Sequence, residues 1–423
     1  MFHIAVICLV ITALMAYVNV RFIRLPTTIG VMAVAMLFSL GLIGLNALGV
    51  PGPHAFEESL LRQIDFSSVL VGGMLSMLLF AGALHVDLRQ LRAAGWQVGL
   101  LAVVGTTVST ALVGLALWWA LPWVGLKLPL IYCLLFGALI SPTDPIAVLA
   151  ILRSAGAPAR LRMLISGESL FNDGVGVVYF ALLLGMATSD HVPTSGEVLG
   201  LLAQEAGGGV LLGGALGWLA FVLLRSIDNY QTEVLLTLAL VLGGYELAQA
   251  LHISGPLAMV VAGLIVGNHG REMAMSQQTR QQLDGFWELL DEILNAVLFV
   301  LLGLEVVLVP FEGSLVGASL LVLALVLTAR ALAVGGPAAL WPNWFGLPAQ
   351  GWKVLTWGGL RGGISVALAL ALPAGPERDV ILMLTYVVVV FSILVQGLSI
   401  KPLITRMAMA EAPSPSPKES SGH

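Results

Sequence analysis

The sequence predicts an all-α polytopic membrane protein of about 13 transmembrane helices, built as two inverted six-helix repeats with broken crossing helices. Three observations predict it. Of 423 residues, 58% are hydrophobic and only 10% are charged, with a mean hydropathy of +0.97. A soluble domain is about 45–50% apolar and about 25% charged. Apolar segments also recur at the length of roughly 20 residues that a bilayer core requires. Finally, Lys and Arg collect in alternate connections between those segments.

The segments run 4–20, 27–48, 66–85, 96–121, 128–152, 161–187, 197–224, 233–251, 253–267, 286–309, 314–340, 354–373 and 380–408. Runs such as Val387-Val388-Val389-Val390 are continuous rather than alternating, so helices are expected and a β-barrel is not. One set of connections holds only Arg62, Lys127 and Arg378, and Arg361 lies inside a span. Every other basic residue falls in the opposite set, with Arg330 open to either a loop or an intramembrane reading. The bias places the N-terminus outside and the C-terminus in the cytoplasm of a bacterial inner membrane. The first span has no basic leader, so it is expected to be retained. The Pro- and Ser-rich residues 411–423 read as a disordered tail.

Composition also excludes function classes. The net charge of −5 argues against nucleic acid, which calls for a basic face. Cys8 and Cys133 give no metal-ligand spacing and no disulfide framework. No cofactor and no soluble partner is expected, only membrane lipid.

Charges at membrane depth are costly and mark function. Span 5 carries Ile140-Ser-Pro-Thr-Asp-Pro-Ile146. Pro142 and Pro145 each remove a donor and crowd the preceding turn, so the helix should unwind around Asp144. Asp144 then either belongs to an ion site or caps the second half-helix. Span 6 carries Ser166-Gly-Glu-Ser-Leu-Phe-Asn-Asp-Gly174. Asp173 lies about 12 residues into the span, roughly 18 Å deep. Ser169 and Asp173 share one helical face, and Glu168 and Asn172 share the next. A hydroxyl beside a carboxylate offers hard oxygen ligands suited to a small cation. Packing alone is the competing reading.

Span 12 carries Trp357-Gly-Gly-Leu-Arg-Gly-Gly-Ile-Ser365. Glycine pairs weaken that helix, and Arg361 needs an anionic partner unless it snorkels to the interface. Glu168 is the expected partner. Spans 5 and 12 run in opposite directions and both carry helix breakers. That is the pattern of inverted repeats, here spans 1–6 and 8–13 with span 7 as linker, and the site should lie where the two breaks cross. Span 10 opens with Asp284, Glu288, Asp291, Glu292 and Asn295 on one face. They read either as an acidic funnel or as acids matching a helix N-terminus. His85 and His269 are open to a pH-sensing reading, beside the plainer one of solvated loop histidines.

These motifs carry a family resemblance. Ser141-Pro-Thr-Asp-Pro145, Gly167-Glu-Ser-Leu-Phe-Asn-Asp-Gly174 and Gly358-Gly-Leu-Arg-Gly362 resemble the monovalent cation:proton antiporter-1 family, nearest its NhaP-type sodium/proton antiporters. Arg24-Leu-Pro-Thr-Thr-Ile-Gly30 and Leu84-His-Val-Asp-Leu-Arg89 match more weakly. The resemblance implies a homodimer with a transport unit at about 96–187 and 314–408, and dimerisation helices at about 1–85 and 197–309. It implies that Asp173 binds cation and proton in turn and that the side chain of Ser169 and the backbone at Thr143 help coordinate the cation. It further implies that Asp144 supports the unwound helix and that Glu168 pairs with Arg361, with Asn172 nearby. There is one departure: Ala81 stands where some relatives place a cation-site Glu.

The expected activity is exchange of a monovalent cation (sodium, or lithium or potassium) for protons, not enzyme catalysis. Burial penalises the bare charge of Asp173, so a cation or a proton must neutralise it. Because Asn172 is neutral, one titrating carboxylate implies electroneutral one-for-one exchange. A cation channel would instead require a filter or pore ring. An intramembrane aspartyl protease would require two carboxylates placed for acid–base work, and the Gly-x-Gly-Asp pattern is absent from the sequence.

Overall fold

The computed structural model describes residues 2–50, 73–144, 146–189, 194–270, 276–305, 314–348 and 350–411. Among them there are helices and turns but no strand. In chain order, α1 is Phe2–Val18, α2 Thr27–Ala47, α3 Leu75–Leu84, α4 Leu88–Ala93 and α5 Gly95–Val124. Then come α6 Leu130–Ile140, α7 Ile146–Ser154, α8 Ala159–Thr188, α9 Gly196–Arg225 and α10 Tyr230–Ala250. The last part holds α11 Gly255–Ile265, α12 Gln277–Leu304, α13 Ser314–Arg330, α14 Gly351–Trp357, α15 Gly363–Leu370, α16 Pro376–Phe391 and α17 Gly397–Glu411. By length and composition, 8 helical runs among the described residues can cross a membrane.

The helix starts follow local chemistry. Asp87 accepts from the backbone N–H of Arg89 at 2.8 Å and of Gln90 at 3.2 Å, capping α4. Those bonds, Gln90's first, hold the Asp87 carboxyl below the usual range. Asn229, Ser254 and Ser276 cap α10, α11 and α12 in the same way. α12 therefore begins at Gln277, about two and a half turns before the predicted start at 286.

Tertiary packing joins α2 to α12, α5 to α6, and α9 to α11. The backbones approach closely where small residues allow it. A Cβ on Gly137 of α6 would strike the carbonyl of Thr110 on α5. The interior is apolar, with Phe136, Leu135 and Phe299 fully buried. The periphery is apolar too: Leu14 is 61% and Leu211 76% exposed. Such a surface is unsuited to water and suited to hydrocarbon. The chain is thus a multi-pass, all-helical membrane protein.

Several expectations lie outside the described residues. They concern Arg62, Pro145, Arg271 and the tail beyond Glu411, as well as the side chain of His269.

Candidate functional site

The two predicted breaks are present and meet. The chain leaves helix after Ile140 and resumes at Ile146; it leaves again after Trp357 and resumes at Gly363. The N–H of Asp144 in the first break donates to the carbonyl of Leu360 in the second, at 2.8 Å. Arg361 Nη1 donates back to the carbonyls of Ser141 at 2.6 Å and Pro142 at 2.9 Å. In a continuous helix the Ser141 carbonyl would accept from residue 145, a proline with no N–H. Arg361 supplies the missing donor. Its own N–H donates to Ser392 Oγ at 2.8 Å. Gly362 is required here, because a Cβ would fall on the Asp144 carboxylate.

α8 delivers Glu168, Ser169, Asn172 and Asp173, all buried. Ser169, Asn172 and Thr143 form one cluster. Asn172 Nδ2 donates to Thr143 Oγ1 at 3.0 Å, and Asn172 Oδ1 accepts from the Thr143 N–H at 3.2 Å. Thr143 Oγ1 and Ser169 Oγ share a hydrogen bond of 2.8 Å. The neutral Asn172 thus clips the broken segment onto α8.

Glu168 requires a correction. Its expected partner was Arg361, but its carboxylate is gripped from two sides by Arg330. Arg330 Nη1 pairs with Glu168 Oε1, and Nη2 reaches Oε2 at 3.0 Å. Nη2 also donates to the carbonyl of Leu355 at 3.2 Å. Arg361 is occupied by the carbonyls of the first break. The route for Arg330 exists because Gly359 has no side chain, and a Cβ there would strike the guanidinium. Arg330 itself is 5% exposed, which settles its ambiguous position in favour of the interior. One signal in the sequence pointed to it: the apolar stretch continues about ten residues past Arg330 to Leu340, too far for snorkelling.

A cavity of about 310 Å³ reaches this site. At its mouth stand exposed Glu288, Glu292, His85 and Arg153. Deeper lie half-buried Asp291 and Asp144, then buried Asn295, Ser365 and Asp173. Asp173 is 4% exposed, and its carboxylate makes no hydrogen bond with any described residue. Among the predicted cation ligands, Asp173 and Asp144 line the wall, while Ser169 and Thr143 stand behind it, bonded to each other. Of the acidic stripe on α12, Glu288, Asp291, Glu292 and Asn295 face the cavity, and Asp284 is not in its wall. These residues lie beyond the first turn of α12, where a helix dipole has faded, which favours the funnel reading over the dipole one. Ser365 was not singled out from the sequence; its place in the first turn of the half-helix after the second break was the available signal.

The wall draws on two groups of helices. α3 and α12 contribute Ala81, His85, Asp291 and Asn295; α7, α8, α15 and the two breaks contribute Arg153, Asp173, Ser365, Asp144 and Gly362. Among the described residues no group of three or more His, Cys, Asp or Glu is placed to hold a metal ion. The arrangement is one buried carboxylate, without a hydrogen bond to any described residue, on the wall of a cavity lined by further acids.

Comparison with known proteins agrees. A family model described as sodium/hydrogen exchanger, transmembrane, matches residues 9–406. The chain is 55% identical over 401 residues to the Na(+)/H(+) antiporter NhaP of Pseudomonas aeruginosa, covering 94% of this chain and 95% of that one. It is 36% identical to the Na(+)/H(+) antiporter NhaH of Halobacillus dabanensis, covering 91% and 96%. The solved structure of the sodium proton antiporter MjNhaP1 from Methanocaldococcus jannaschii at pH 8 matches with a TM-score of 0.72, covering 96% and 97% at 18% identity. At that identity the structural match speaks for the fold alone. Broken crossing helices, an acidic cavity and a family match over nearly the whole length converge on one assignment: this chain belongs to the sodium/hydrogen exchanger family.

Proposed function

We propose that the chain is a secondary active antiporter that exchanges a monovalent cation for protons, with both ions competing for Asp173. The observation that carries this reading is the Asp173 carboxylate itself. It is 4% exposed, faces the cavity and makes no hydrogen bond with any described residue. A buried bare charge is expensive, so a proton or a cation is favoured there. Either neutralises it, and the two exclude each other. If the site crosses between access states only when neutralised, exchange is obligatory.

Asp144 supplies a second carboxylate at the wall, and its place in the break supports a role in shaping the site. To receive the cation, Ser169 and Thr143 would give up the bond between their hydroxyls and turn an oxygen toward it. Glu168 with Arg330, Arg361 and Asn172 hold the two breaks together and carry no ion. Asn172 is neutral, so Asp173 alone titrates and exchange is electroneutral, one for one.

The cavity lies between two groups of helices, which supports a transport unit at about 96–187 and 314–408 moving against helices 1–85 and 197–309. We assign those helices to a homodimer contact. His85 and Arg153 at the mouth belong to the basic connections, so the cavity opens to the cytoplasm of a bacterial cell membrane. The N-terminus is then outside and the C-terminus inside. No cofactor enters the cycle.

The test is dissipation of a pH gradient in proteoliposomes by sodium, lithium and potassium salts. Wild type should dissipate it, with the half-saturating sodium concentration rising about tenfold for each unit that pH falls on the acid side, as one-site competition requires. Asp173→Asn should abolish exchange. Full exchange by that variant sinks the site, and a wild-type rate that follows membrane potential sinks the stoichiometry.

A further inference from the structure

We infer that Asn295 and Asp291 of α12 form a second cation site, a waiting position between the cavity mouth and Asp173. The inference rests on the proposed exchange and adds a step to it. Asn295 Nδ2 donates to the Asp291 carbonyl at 2.8 Å, within its own helix. That bond fixes which end of the amide is which, and it leaves Oδ1 on the other side. Asn295 is 1% exposed, lines the cavity, and its Oδ1 has no partner among the described residues. Leaving a buried acceptor unsatisfied is costly, so an oxygen held this way calls for an occupant. A cation satisfies it, because an amide oxygen is a hard ligand.

Charge at the position favours a cation over a water molecule alone. The Asp291 carboxylate faces the same cavity and lies near enough to Asp144 for their charges to repel. Glu288 and Glu292 stand further out on the same helix, and Asp173 further in. Arg153 and His85 also face the cavity, from α7 and the end of α3, and the acids outnumber them. A monovalent cation between Asp291 and Asn295 relieves the repulsion with Asp144. Ala81 of α3 lines the same cavity, and its side chain offers no oxygen. α12 therefore supplies the ligands that α3 lacks, and the site sets how well sodium competes with protons for entry.

Two measurements on the full-length protein test this. In proteoliposomes, Asn295→Leu should raise the half-saturating sodium concentration about tenfold, a loss of about 1.4 kcal/mol, while the maximal rate falls by less. Asn295→Asp, which keeps an oxygen, should restore it. An unchanged half-saturation in Asn295→Leu overturns the inference. Independently, purified Asp173→Asn should still gain thermal stability from sodium chloride relative to choline chloride at equal ionic strength, and Asp173→Asn/Asn295→Leu should not. No sodium-specific gain in Asp173→Asn, or an equal gain in both, also overturns it. The sodium-specific gain of Asp173→Asn by itself does not depend on how well Asn295→Leu is expressed. Wild type that fails to exchange defeats the antiport reading; wild type that exchanges beside an unaffected Asn295→Leu defeats only the waiting site.

Discussion

Glu168 and Asp173 lie five residues apart on one helix, both nearly sealed from solvent, at 1% and 4% exposure. The protein treats them in opposite ways. Glu168 is held by both ends of the Arg330 guanidinium, and nothing in that arrangement can leave. Asp173 faces an open cavity with no protein hydrogen bond among the described residues. The desolvation cost is met at Glu168 by a permanent counter-charge, while at Asp173 no protein group meets it by a hydrogen bond. On the proposed function, one helix then anchors the fold through Glu168 and leaves Asp173 to the exchanged ions.

Stability measurements can break this contrast. The largest effect is expected from Glu168→Gln, which strands the buried Arg330 charge. It should cost about 3–5 kcal/mol and lower the unfolding temperature in detergent. Adding Arg330→Met should recover much of the loss, since an apolar replacement of a buried pair is often near neutral. Asp173→Asn should lose no stability, because an amide of similar size replaces a carboxyl that no described residue holds by a hydrogen bond. If both single variants behave alike, the contrast is wrong.

A smaller effect is expected at Gly359. A methyl group there meets Arg330, and overpacking of this kind costs about 1–3 kcal/mol. Thermal unfolding of Gly359→Ala should show that loss, and the loss should shrink in an Arg330→Met background, where the guanidinium is gone. The smallest effect is expected at the cavity mouth. Glu288→Gln/Glu292→Gln should raise the half-saturating cation concentration about two- to threefold at low salt and hardly at all at high salt, since exposed charges are screened within about 10 Å at 0.1 M. An unchanged half-saturation at low salt, or the same rise at both salt levels, would reject the funnel.

Much of the site was legible because its signals are local. Pro142 and Pro145 forecast an unwound segment, the glycine pairs around Arg361 forecast a second, and Asp173 stood out as a carboxylate deep in an apolar run. The α12 stripe was legible as a face but not as a wall, since its dipole reading fell only when the helix was found to begin at Gln277. The partner of Glu168 was misread. Two arginines were available, and spacing along the chain cannot say which guanidinium reaches a carboxylate 162 residues away in sequence. Ser169 and Thr143 were assigned to one cation site through the resemblance, while their shared bond and their place behind the wall depend on how the broken segment turns.

By itself, then, the sequence determined the solvent, the helices, the positions of the breaks and the short list of buried charges. Each of these depends on composition or on backbone chemistry within a few residues. Only the tertiary structure decided the pairings. Arg361 took the carbonyls of the first break, Arg330 took Glu168, and α12 turned Asp291 and Asn295 onto the cavity that ends at Asp173. Those outcomes depend on where two interrupted helices cross, and a crossing is set by packing among segments more than 200 residues apart in the chain, where no local pattern reaches.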